Sequence, residues 1–356
     1  MPRVHTGKGK GKGKVGRVAR RSAFTALALA AGLVLIGAAW VTYTQLALSV
    51  RESQSAEKLA AGRGRWVATP DASLYVQEWG DPAAPVMLLT HGTGAWSGTW
   101  FTLPATLAAA GWHVVAVDLP PFGLSTTLGQ RKTVDYSRAA QATRISSLID
   151  TLPKPVTLVG HSFGAGPALE AAMRSGDSLR QLVLVDPALG LGPLGEPPHC
   201  DTDSELGGPL AVRALRTSLV GATATWPGLS ATLLRQFVHR KEVVTEQLVS
   251  AYQIPFARES FSARLGDWAA GFARASCESA ESLDPAKLAT WSQAGPQIAL
   301  IWGEEDTITP IAQGKALQRW MPNAKMTTLP GVGHIPHIEN PEAFAAALLA
   351  ATHPAR

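Results

Sequence analysis

Short apolar runs bounded by turn residues recur along most of the chain, and none of them alternates apolar with polar positions. The five clearest runs are Val86–Thr90, Val114–Val117, Val156–Val159, Leu182–Val185 and Ile298–Trp302. Strands that are covered on both faces have this continuous pattern, which is typical of a parallel sheet. A weaker run over 325–329 predicts an edge strand, and two runs over 66–67 and 74–79 predict an opening hairpin.

Helical periodicity separates the strands. Ile145, Leu148, Ile149 and Leu152 repeat at helical spacing and give one buried face. Pro341–Ala351 is rich in Ala and Leu and begins with Pro, which the first helical turn tolerates. Strands that alternate with helices predict an α/β fold with a mostly parallel, twisted, doubly wound sheet. We assign this core to residues 66–190 and 296–356.

The stretch 191–295 interrupts the alternation. It contains helical patterns but no convincing strand, so it is interpreted as a helical cap inserted over the sheet. Cys200 and Cys277, the two cysteines of the chain, both lie in this stretch. Outside the cytoplasm they would form one bridge across the cap, and two buried free thiols are the equally good alternative.

The N-terminal segment predicts a membrane anchor. No residue from Ser22 to Val50 is charged, and about 20 apolar residues suffice to span a bilayer as a helix. We therefore expect a basic disordered tail over 1–22, a transmembrane helix or signal anchor over 23–46 and a linker over 47–65. Because basic residues precede the span, the tail is expected to stay cytoplasmic and the body to cross. Secretion after cleavage of a signal peptide is the alternative.

The excess of basic residues in the chain lies in this tail. The chain of 356 residues has a net charge of +5, but residues 1–22 contain eight of the 32 Lys and Arg and no acid. The remainder carries 24 basic against 27 acidic side chains, a net charge of −3. The globular part therefore offers no reason to expect a nucleic-acid partner. The cysteines and histidines have no zinc-finger spacing, and no metal site is expected.

The strongest candidate motif lies between a predicted strand and a predicted helix. Residues Gly160, His161, Ser162, Phe163 and Gly164 form a Gly-x-Ser-x-Gly pentapeptide directly after the run Val156–Val159. A nucleophilic serine needs such a tight strand-to-helix turn, and glycines on either side let the neighbouring backbone pass. Ser162 is therefore the candidate nucleophile, and an ordinary glycine-rich turn is the alternative.

A base and an acid follow Ser162 in the chain. His334, in a glycine-flanked loop after the last strand, is the candidate base. His337 is interpreted as a packing residue, and the side chain of His161 is expected to point away from the turn. Asp306, after the run Ile298–Trp302, is the candidate acid that orients the imidazole. Asp186, at the end of the run Leu182–Val185, is the serious alternative acid.

An oxyanion hole is predicted from the loop after the first parallel strand. His91-Gly92-Thr93-Gly94 follows Val86–Thr90, and its glycines allow backbone N–H groups to approach a developing negative oxygen. One donor is expected from Phe163, and the other from Thr93 or Gly94. A simple strand-to-helix turn is the alternative.

These motifs, in this order, resemble the α/β-hydrolase superfamily, in the capped branch that contains esterases, C–C bond hydrolases and serine-type haloperoxidases. The resemblance covers residues from about Trp66 to Ala351, includes the stretch Asp118–Ser125, and implies the α/β-hydrolase fold with a helical cap. Pro121 stands where many relatives have glycine. Serine at 162, rather than aspartate, argues against relatives that work through an aspartyl ester.

The sequence thus predicts a membrane-anchored serine hydrolase that acts on an apolar, ester-like small molecule through an acyl-enzyme. No metal or organic cofactor is implied. Two alternatives stay open. One is C–C bond hydrolysis or acyl transfer by the same triad, and the other is a non-catalytic binding or accessory protein that keeps the scaffold.

Overall fold

The computed structural model describes residues 12–128, 134–190, 209–275 and 280–352. The chain divides into two units, an N-terminal unit that ends at Ala47 and a globular unit that begins at Leu48. Helix α1, Lys12–Arg51, supplies the described part of the first unit and the first residues of the second.

Within the described residues, α1 is the one helix long and apolar enough to cross a membrane, over Leu29–Arg51. Leu33, Leu35 and Ile36 in this segment are about 70% exposed (70%, 69% and 68%). Length and composition of this kind fit a membrane anchor, and a signal sequence near an N-terminus has the same properties. The predicted apolar N-terminal helix is therefore present.

One expectation about the ends of this segment needs correction. Residues 12–22 of the basic tail are helical rather than disordered, because extending an existing helix costs far less than starting one; residues 1–11 lie outside the described residues. The predicted linker, residues 47–65, contains regular structure. Helix α1 runs on to Arg51, helix α2 covers Ala56–Ala60, and Gln54 pairs with Arg258 in a parallel bridge.

Nine strands in the described part of the chain form one sheet. They are β1 Arg65–Ala68, β2 Ala72–Trp79, β3 Val86–Thr90, β4 His113–Val117, β5 Thr126–Thr127, β6 Val156–His161, β7 Leu179–Val185, β8 Gln297–Gly303 and β9 Lys325–Leu329. The order across the sheet is β1-β2-β4-β3-β6-β7-β8-β9, with β5 paired to β2. The β1–β2 hairpin and the β2–β4 and β2–β5 pairs are antiparallel, and all other pairs are parallel, which confirms the predicted mostly parallel sheet.

Both faces of the sheet are covered, which explains the continuous apolar runs. Leu88 and Leu158 pack into a core on one face, whereas their chain neighbours Leu89 and Val159 pack into a second core on the other. The helices of the globular unit after α2 are α3 Leu103–Ala109, α4 Arg138–Ile149, α5 Ala165–Ser175, α6 Leu210–Ala222, α7 Pro227–Phe237, α8 Glu246–Gln253, α9 Phe261–Ala275, α10 Pro285–Ala294, α11 Ile311–Trp320, α12 Pro336–Glu339 and α13 Pro341–Thr352.

The five helices α6 to α10 all lie between β7 and β8 in the chain, in the stretch interpreted as a cap. Within its described residues, 209–275 and 280–295, this stretch contributes no strand. Cys200 and Cys277 both fall outside the described residues, so the prediction of a bridge or of two thiols stays a prediction.

Candidate active site

The candidate residues lie on three loops at one edge of the sheet. Ser162 follows β6, Asp306 follows β8, and His334 follows β9. Because these strands are parallel, their carboxyl ends meet at the same edge, where open α/β sheets bind ligands. The topology therefore brings together residues that are far apart in the sequence.

Ser162 occupies a strained turn between β6 and α5. Its φ angle of +51° lies in the left-handed region that side chains rarely adopt. The flanking glycines are required by close backbone approach: a Cβ on Gly160 would lie 2.7 Å from the Ala165 Cα, and one on Gly164 would lie 2.5 Å from the His91 carbonyl oxygen. Backbone strain of this kind concentrates at functional sites.

His334 joins the serine to the acid. Its Nε2 lies 2.8 Å from Ser162 Oγ, and its Nδ1 lies 2.7 Å from Asp306 Oδ2. All three residues are buried, with exposed fractions of 6% for Ser162, 2% for His334 and 5% for Asp306. A hydroxyl, an imidazole and a carboxylate in hydrogen-bonded series can move the hydroxyl proton to the imidazole.

The loop of Asp306 supplies donors to both carboxylate oxygens. Oδ1 accepts the backbone N–H groups of Ile308 and Thr309 at 2.7 and 2.9 Å, and the Thr309 hydroxyl donates to Oδ2 at 2.6 Å. Burial raises the pKa of Asp306, but the hydrogen bond and charge of His334 and the Thr309 donors outweigh burial, so the pKa is below its ordinary value. The carboxylate thus stays ionised and holds the imidazole.

Asp186, the alternative acid, has a different partner. Its Oδ1 accepts the backbone N–H of Gly303 at 2.8 Å, and among the described contacts neither of its carboxylate oxygens bonds to His334. Burial, followed by the negative charge of Asp306, raises the pKa of Asp186 well above its ordinary value. A carboxyl group that resists ionisation is a poor partner for an imidazolium, so the geometry favours Asp306.

The two other histidines of the site serve the packing. His161 turns toward the His334 loop rather than away from the site as expected, and its Nε2 lies 2.8 Å from the His334 carbonyl oxygen. Burial lowers the pKa of His161 to about 3. His337 stacks on Trp100 with ring centroids 4.4 Å apart, and burial lowers its pKa well below the ordinary value. Both rings therefore remain neutral.

The predicted oxyanion loop lies against Ser162. A Cβ on Gly92 would lie 3.0 Å from Ser162 Cβ, so only glycine allows this approach. Thr93 and Gly94 line the same pocket as Ser162, and Gly94 has a φ of +73°. Phe163, directly after the serine, begins the turn into α5. The donor roles predicted for Phe163, Thr93 and Gly94 stay predictions.

Sequence reasoning missed Glu339, whose carboxylate organises the His334 loop. It is 2% exposed and accepts the backbone N–H groups of Gly333 and Ile335 at 3.0 and 3.4 Å through one oxygen. Its other oxygen accepts those of His239 and Arg240, after α7, at 2.8 and 3.0 Å. The signal in the sequence was a glutamate five residues after the candidate base, but only the fold reveals its four donors.

An apolar pocket of about 310 Å³ opens at Ser162. An apolar cavity about half that size accommodates benzene. The wall of the pocket at Ser162 comes from the oxyanion loop, the core, the helices α6 to α9 and the segment between α8 and α9. Its large side chains include Leu234, Phe237, Tyr252, Phe256, Phe261, Leu265 and Trp268. Among the described residues that line it, none is Asp, Glu, Lys or Arg. Nor do the described residues contain a group of three or more His, Cys, Asp or Glu that could hold a metal ion.

The fold and this site define an α/β protein with Ser162, His334 and Asp306 in hydrogen-bonded series at the carboxyl edge of a parallel sheet. The model of the Alpha/beta hydrolase family matches residues 86–347, and the chain belongs to this family.

Relatives within the family are hydrolases. The chain is 26% identical over 284 residues to the uncharacterized hydrolase YugF of Bacillus subtilis, covering 76% of this chain and 90% of that protein. It is 28% identical over 291 residues to 2-hydroxymuconate semialdehyde hydrolase of Pseudomonas putida, covering 80% and 91%. The crystal structure of a membrane phospholipase A superposes with a TM-score of 0.57 at 21% identity and covers 94% of this chain and 97% of that chain, a likeness that shows the fold.

Proposed function

We propose that this hydrolase cleaves carboxylic esters through Ser162, His334 and Asp306, with a covalent acyl-enzyme. The single observation that carries the proposal is the series of contacts in which His334 lies 2.8 Å from the Ser162 hydroxyl and 2.7 Å from the Asp306 carboxylate. The remaining features of the site support the same chemistry.

In the first half of the reaction, the Ser162 Oγ attacks the ester carbonyl carbon as His334 Nε2 takes the hydroxyl proton. Backbone N–H groups at Phe163 and at Thr93 or Gly94 stabilise the negative carbonyl oxygen. Collapse of the tetrahedral intermediate breaks the bond to the alcohol, which leaves with the proton from His334. In the second half, a water molecule attacks the acyl carbon by the same route, and the carboxylic acid leaves as Ser162 regains its proton.

The pocket favours a neutral, apolar acyl group. The relative from Pseudomonas putida is named for a substrate, 2-hydroxymuconate semialdehyde, that carries a carboxylate. A buried carboxylate needs a charged or hydrogen-bonding partner. Arg258 lies over the ring of Phe261, a residue of this wall, but its guanidinium donates to the carbonyl groups of Pro121 and Ser125. We therefore propose ester hydrolysis rather than C–C cleavage of such acids.

A second part of the proposal concerns location. The apolar segment Leu29–Arg51 of α1 anchors the protein in a membrane, and the basic residues before it keep the N-terminus in the cytoplasm, so that the globular unit lies on the other side. The mass of the protein isolated from membranes tests whether the helix is retained as an anchor. The mass of the uncleaved chain is expected, whereas a product that has lost the apolar helix would contradict anchoring.

The catalytic proposal is tested with p-nitrophenyl butyrate and a fluorophosphonate probe. Ser162→Ala is expected to abolish both turnover and labelling. Ser146→Ala, which removes another buried hydroxyl on the remote helix α4, is the matched control and should retain both. Turnover of the ester by Ser162→Ala at the wild-type rate would refute the proposal, and cleavage of a dienone but no ester would replace it with C–C hydrolysis.

A further inference from the structure

The cap presents an unusual apolar surface to solvent. No charged residue occurs between Arg216 and Arg235, a stretch that covers the end of α6, the following loop and most of α7. Within residues 212–235, six large apolar side chains are exposed, and we term them together the cap apolar face: Val212 (50%), Leu215 (45%), Leu219 (51%), Trp226 (49%), Leu229 (38%) and Leu233 (39%).

The part of the face on α6 is a stripe along one side of the helix. Val212, Leu215 and Leu219 are three and four residues apart, so they share one side of α6. The opposite side of α6 is buried through Thr217, Ser218 and Gly221. Amphipathic helices of soluble proteins normally bury their leucines and expose polar residues, and α6 does the reverse. Exposed apolar patches of this kind mark contact surfaces.

The charged residues of α6 are turned away from this face. Arg213 and Arg216 both pair with Asp267 on α9, the former at 3.4 Å. These ion pairs leave the outward side of the helix without a charge that would need water. Trp226, at the start of α7, adds a ring with an apolar body and a polar N–H, the type of side chain that favours the boundary between lipid and water.

The residues that end the apolar helix α1 dock directly beside the cap apolar face. Leu48 is 6% exposed, and a Cβ on Gly221 would lie 2.7 Å from its Cδ1, so glycine at 221 permits this contact. Arg51 donates to the Gly221 carbonyl oxygen at 3.3 Å and to the Thr225 hydroxyl at 2.8 Å. These contacts join the end of the candidate membrane span to the end of α6.

A buried polar network locks this junction. The Thr225 and Ser262 hydroxyls lie 2.5 Å apart, and both oxygens of Glu52 accept the Ser262 backbone N–H at 3.2 Å. Glu52 is 8% exposed. The last residues of the proposed membrane span, Leu48 to Arg51, are therefore fixed to the end of α6 within the globular unit. In the proposed anchoring, the chain leaves the bilayer here, beside the α6–α7 loop.

The same stretch forms part of the pocket wall. Val220, Ala224, Leu233 and Leu234 line the cavity that opens at Ser162, and Leu233 also belongs to the cap apolar face. An apolar molecule that lies in the membrane beside this face is therefore adjacent to the wall of the active-site pocket without crossing bulk water.

From these observations, we infer that the cap apolar face rests in the surface layer of the lipid bilayer and that apolar esters dissolved in the membrane reach Ser162 from there. The second part of this inference, the entry of esters from the membrane to Ser162, rests on the proposed function. The first half, contact with lipid, requires only the anchor and the face.

Lipid contact is tested on the full chain, reconstituted in phosphatidylcholine vesicles with and without brominated acyl chains. Bromine quenches the fluorescence of tryptophans that touch the acyl region. The quenched amplitude is expected to fall in Trp226→Phe and to stay unchanged in Trp320→Phe, a matched control at the end of α11, just before the start of β9 and so at the opposite edge of the sheet. Equal quenching in wild type and Trp226→Phe overturns the inference.

Substrate entry is tested with two esters that share one leaving group. p-Nitrophenyl butyrate is supplied in water, and p-nitrophenyl laurate is embedded in the vesicles. The triple variant Leu215→Ser, Leu219→Ser, Leu229→Ser, which leaves the residues of the pocket wall intact, is expected to lower the laurate rate about tenfold, because each serine weakens apolar contact with lipid, and to change the butyrate rate less than about twofold. Leu128→Ser, at a leucine that is 56% exposed elsewhere, should change neither rate.

The outcomes separate this inference from the proposed function. Butyrate hydrolysis that survives Ser162→Ala removes the proposed function. Ser162-dependent butyrate hydrolysis together with a laurate rate that the triple variant leaves unchanged removes only the route from the membrane. If Trp226 is not quenched and the triple variant dissociates a detergent-solubilised dimer, the face belongs to a second copy of the chain and the inference is overturned.

Discussion

Glu339 provides the sharpest test of how the His334 loop is held. Its two carboxylate oxygens accept four backbone N–H groups, two from the His334 loop and two from the segment after α7. In Glu339→Gln, one oxygen becomes an NH₂ group, which cannot accept. Two buried N–H groups then lose their acceptor and face another donor.

The cost follows from the charge and burial of this group. A hydrogen bond to a charged group contributes about 1.5–3 kcal/mol, and an unsatisfied buried donor costs a similar amount. Since the contacts share one side chain and are not additive, we expect the free energy of unfolding to fall by about 3 kcal/mol. In a body of this size that corresponds to a fall in melting temperature of roughly 6 °C.

In Glu339→Gln, kcat should fall by more than the loss of folded protein alone would explain. The His334 backbone N–H also donates to the Phe237 carbonyl oxygen at 3.0 Å, so the same loop is tied both to the end of α7 and, through Glu339, to the segment after it. A displacement of the imidazole by about 1 Å costs on the order of 100-fold in rate. We expect kcat for p-nitrophenyl butyrate to fall roughly 10- to 100-fold at 20 °C with KM little changed, because the pocket wall remains.

Thermal unfolding in detergent and steady-state kinetics measure both effects. Glu342→Gln is the matched control, since Glu342 is an exposed glutamate three residues further along the chain and should behave as wild type. A Glu339→Gln protein with the melting temperature and the kcat of wild type would show that the four contacts do not position His334.

Three further changes test other parts of the site. Asp306→Asn should lower kcat about 10⁴-fold, because an amide favours the wrong tautomer of His334. The control Glu304→Gln, in the same turn, should leave kcat unchanged. Equal kcat values in the two variants would count against a role for Asp306. Gly160→Ala should lower the free energy of unfolding by about 2–3 kcal/mol, since its Cβ would lie 2.7 Å from the Ala165 backbone, and a melting temperature equal to that of wild type would contradict this. His161 has a pKa of about 3 in the folded chain, so only the unfolded chain binds a proton as the pH falls below about 6.5. Its contribution to stability is present above that pH and is lost on acidification. Between about pH 6 and 4, the free energy of unfolding of wild type should therefore fall about 1.4 kcal/mol per pH unit more steeply than that of His161→Gln, as measured by denaturant unfolding. Parallel pH profiles of the two proteins would refute the assignment of His161 as a buried neutral imidazole.

Local patterns in the sequence determined much of the sheet and the order of the candidate motifs. The run over 86–90 coincides with β3, and the runs over 156–159 and 182–185 lie within β6 and β7. Such runs are readable because a strand covered on both faces must be apolar at consecutive positions. The turn at Ser162 was likewise visible, because glycines two residues away on either side are needed where a Cβ would lie less than 3 Å from neighbouring backbone atoms.

The apolar N-terminal helix was also visible, but its ends were not. Its length in apolar residues is a property of composition. Where the helix ends depends instead on tertiary contacts, since Arg51 and Glu52 are held by Thr225 and Ser262, more than 170 residues further along the chain. In the sequence alone, the polar segment that contains Arg51 and Glu52 resembles a linker. Only the folded chain shows that its hydrogen-bond partners lie in the cap.

Distances between residues remote in the chain were decided by the tertiary structure alone. From the sequence, Asp186 and Asp306 were alternative acids, because both follow apolar strands. In the folded chain, the Asp306 carboxylate contacts the His334 imidazole, whereas the Asp186 carboxylate accepts the backbone N–H of Gly303. The sequence contained no sign that Glu339 would collect four N–H donors, or that α6 would turn its leucines outward beside the end of α1. Periodicity and local turn chemistry depend on neighbours in the chain, whereas hydrogen-bond partners and exposed faces depend on how the whole chain folds back on itself.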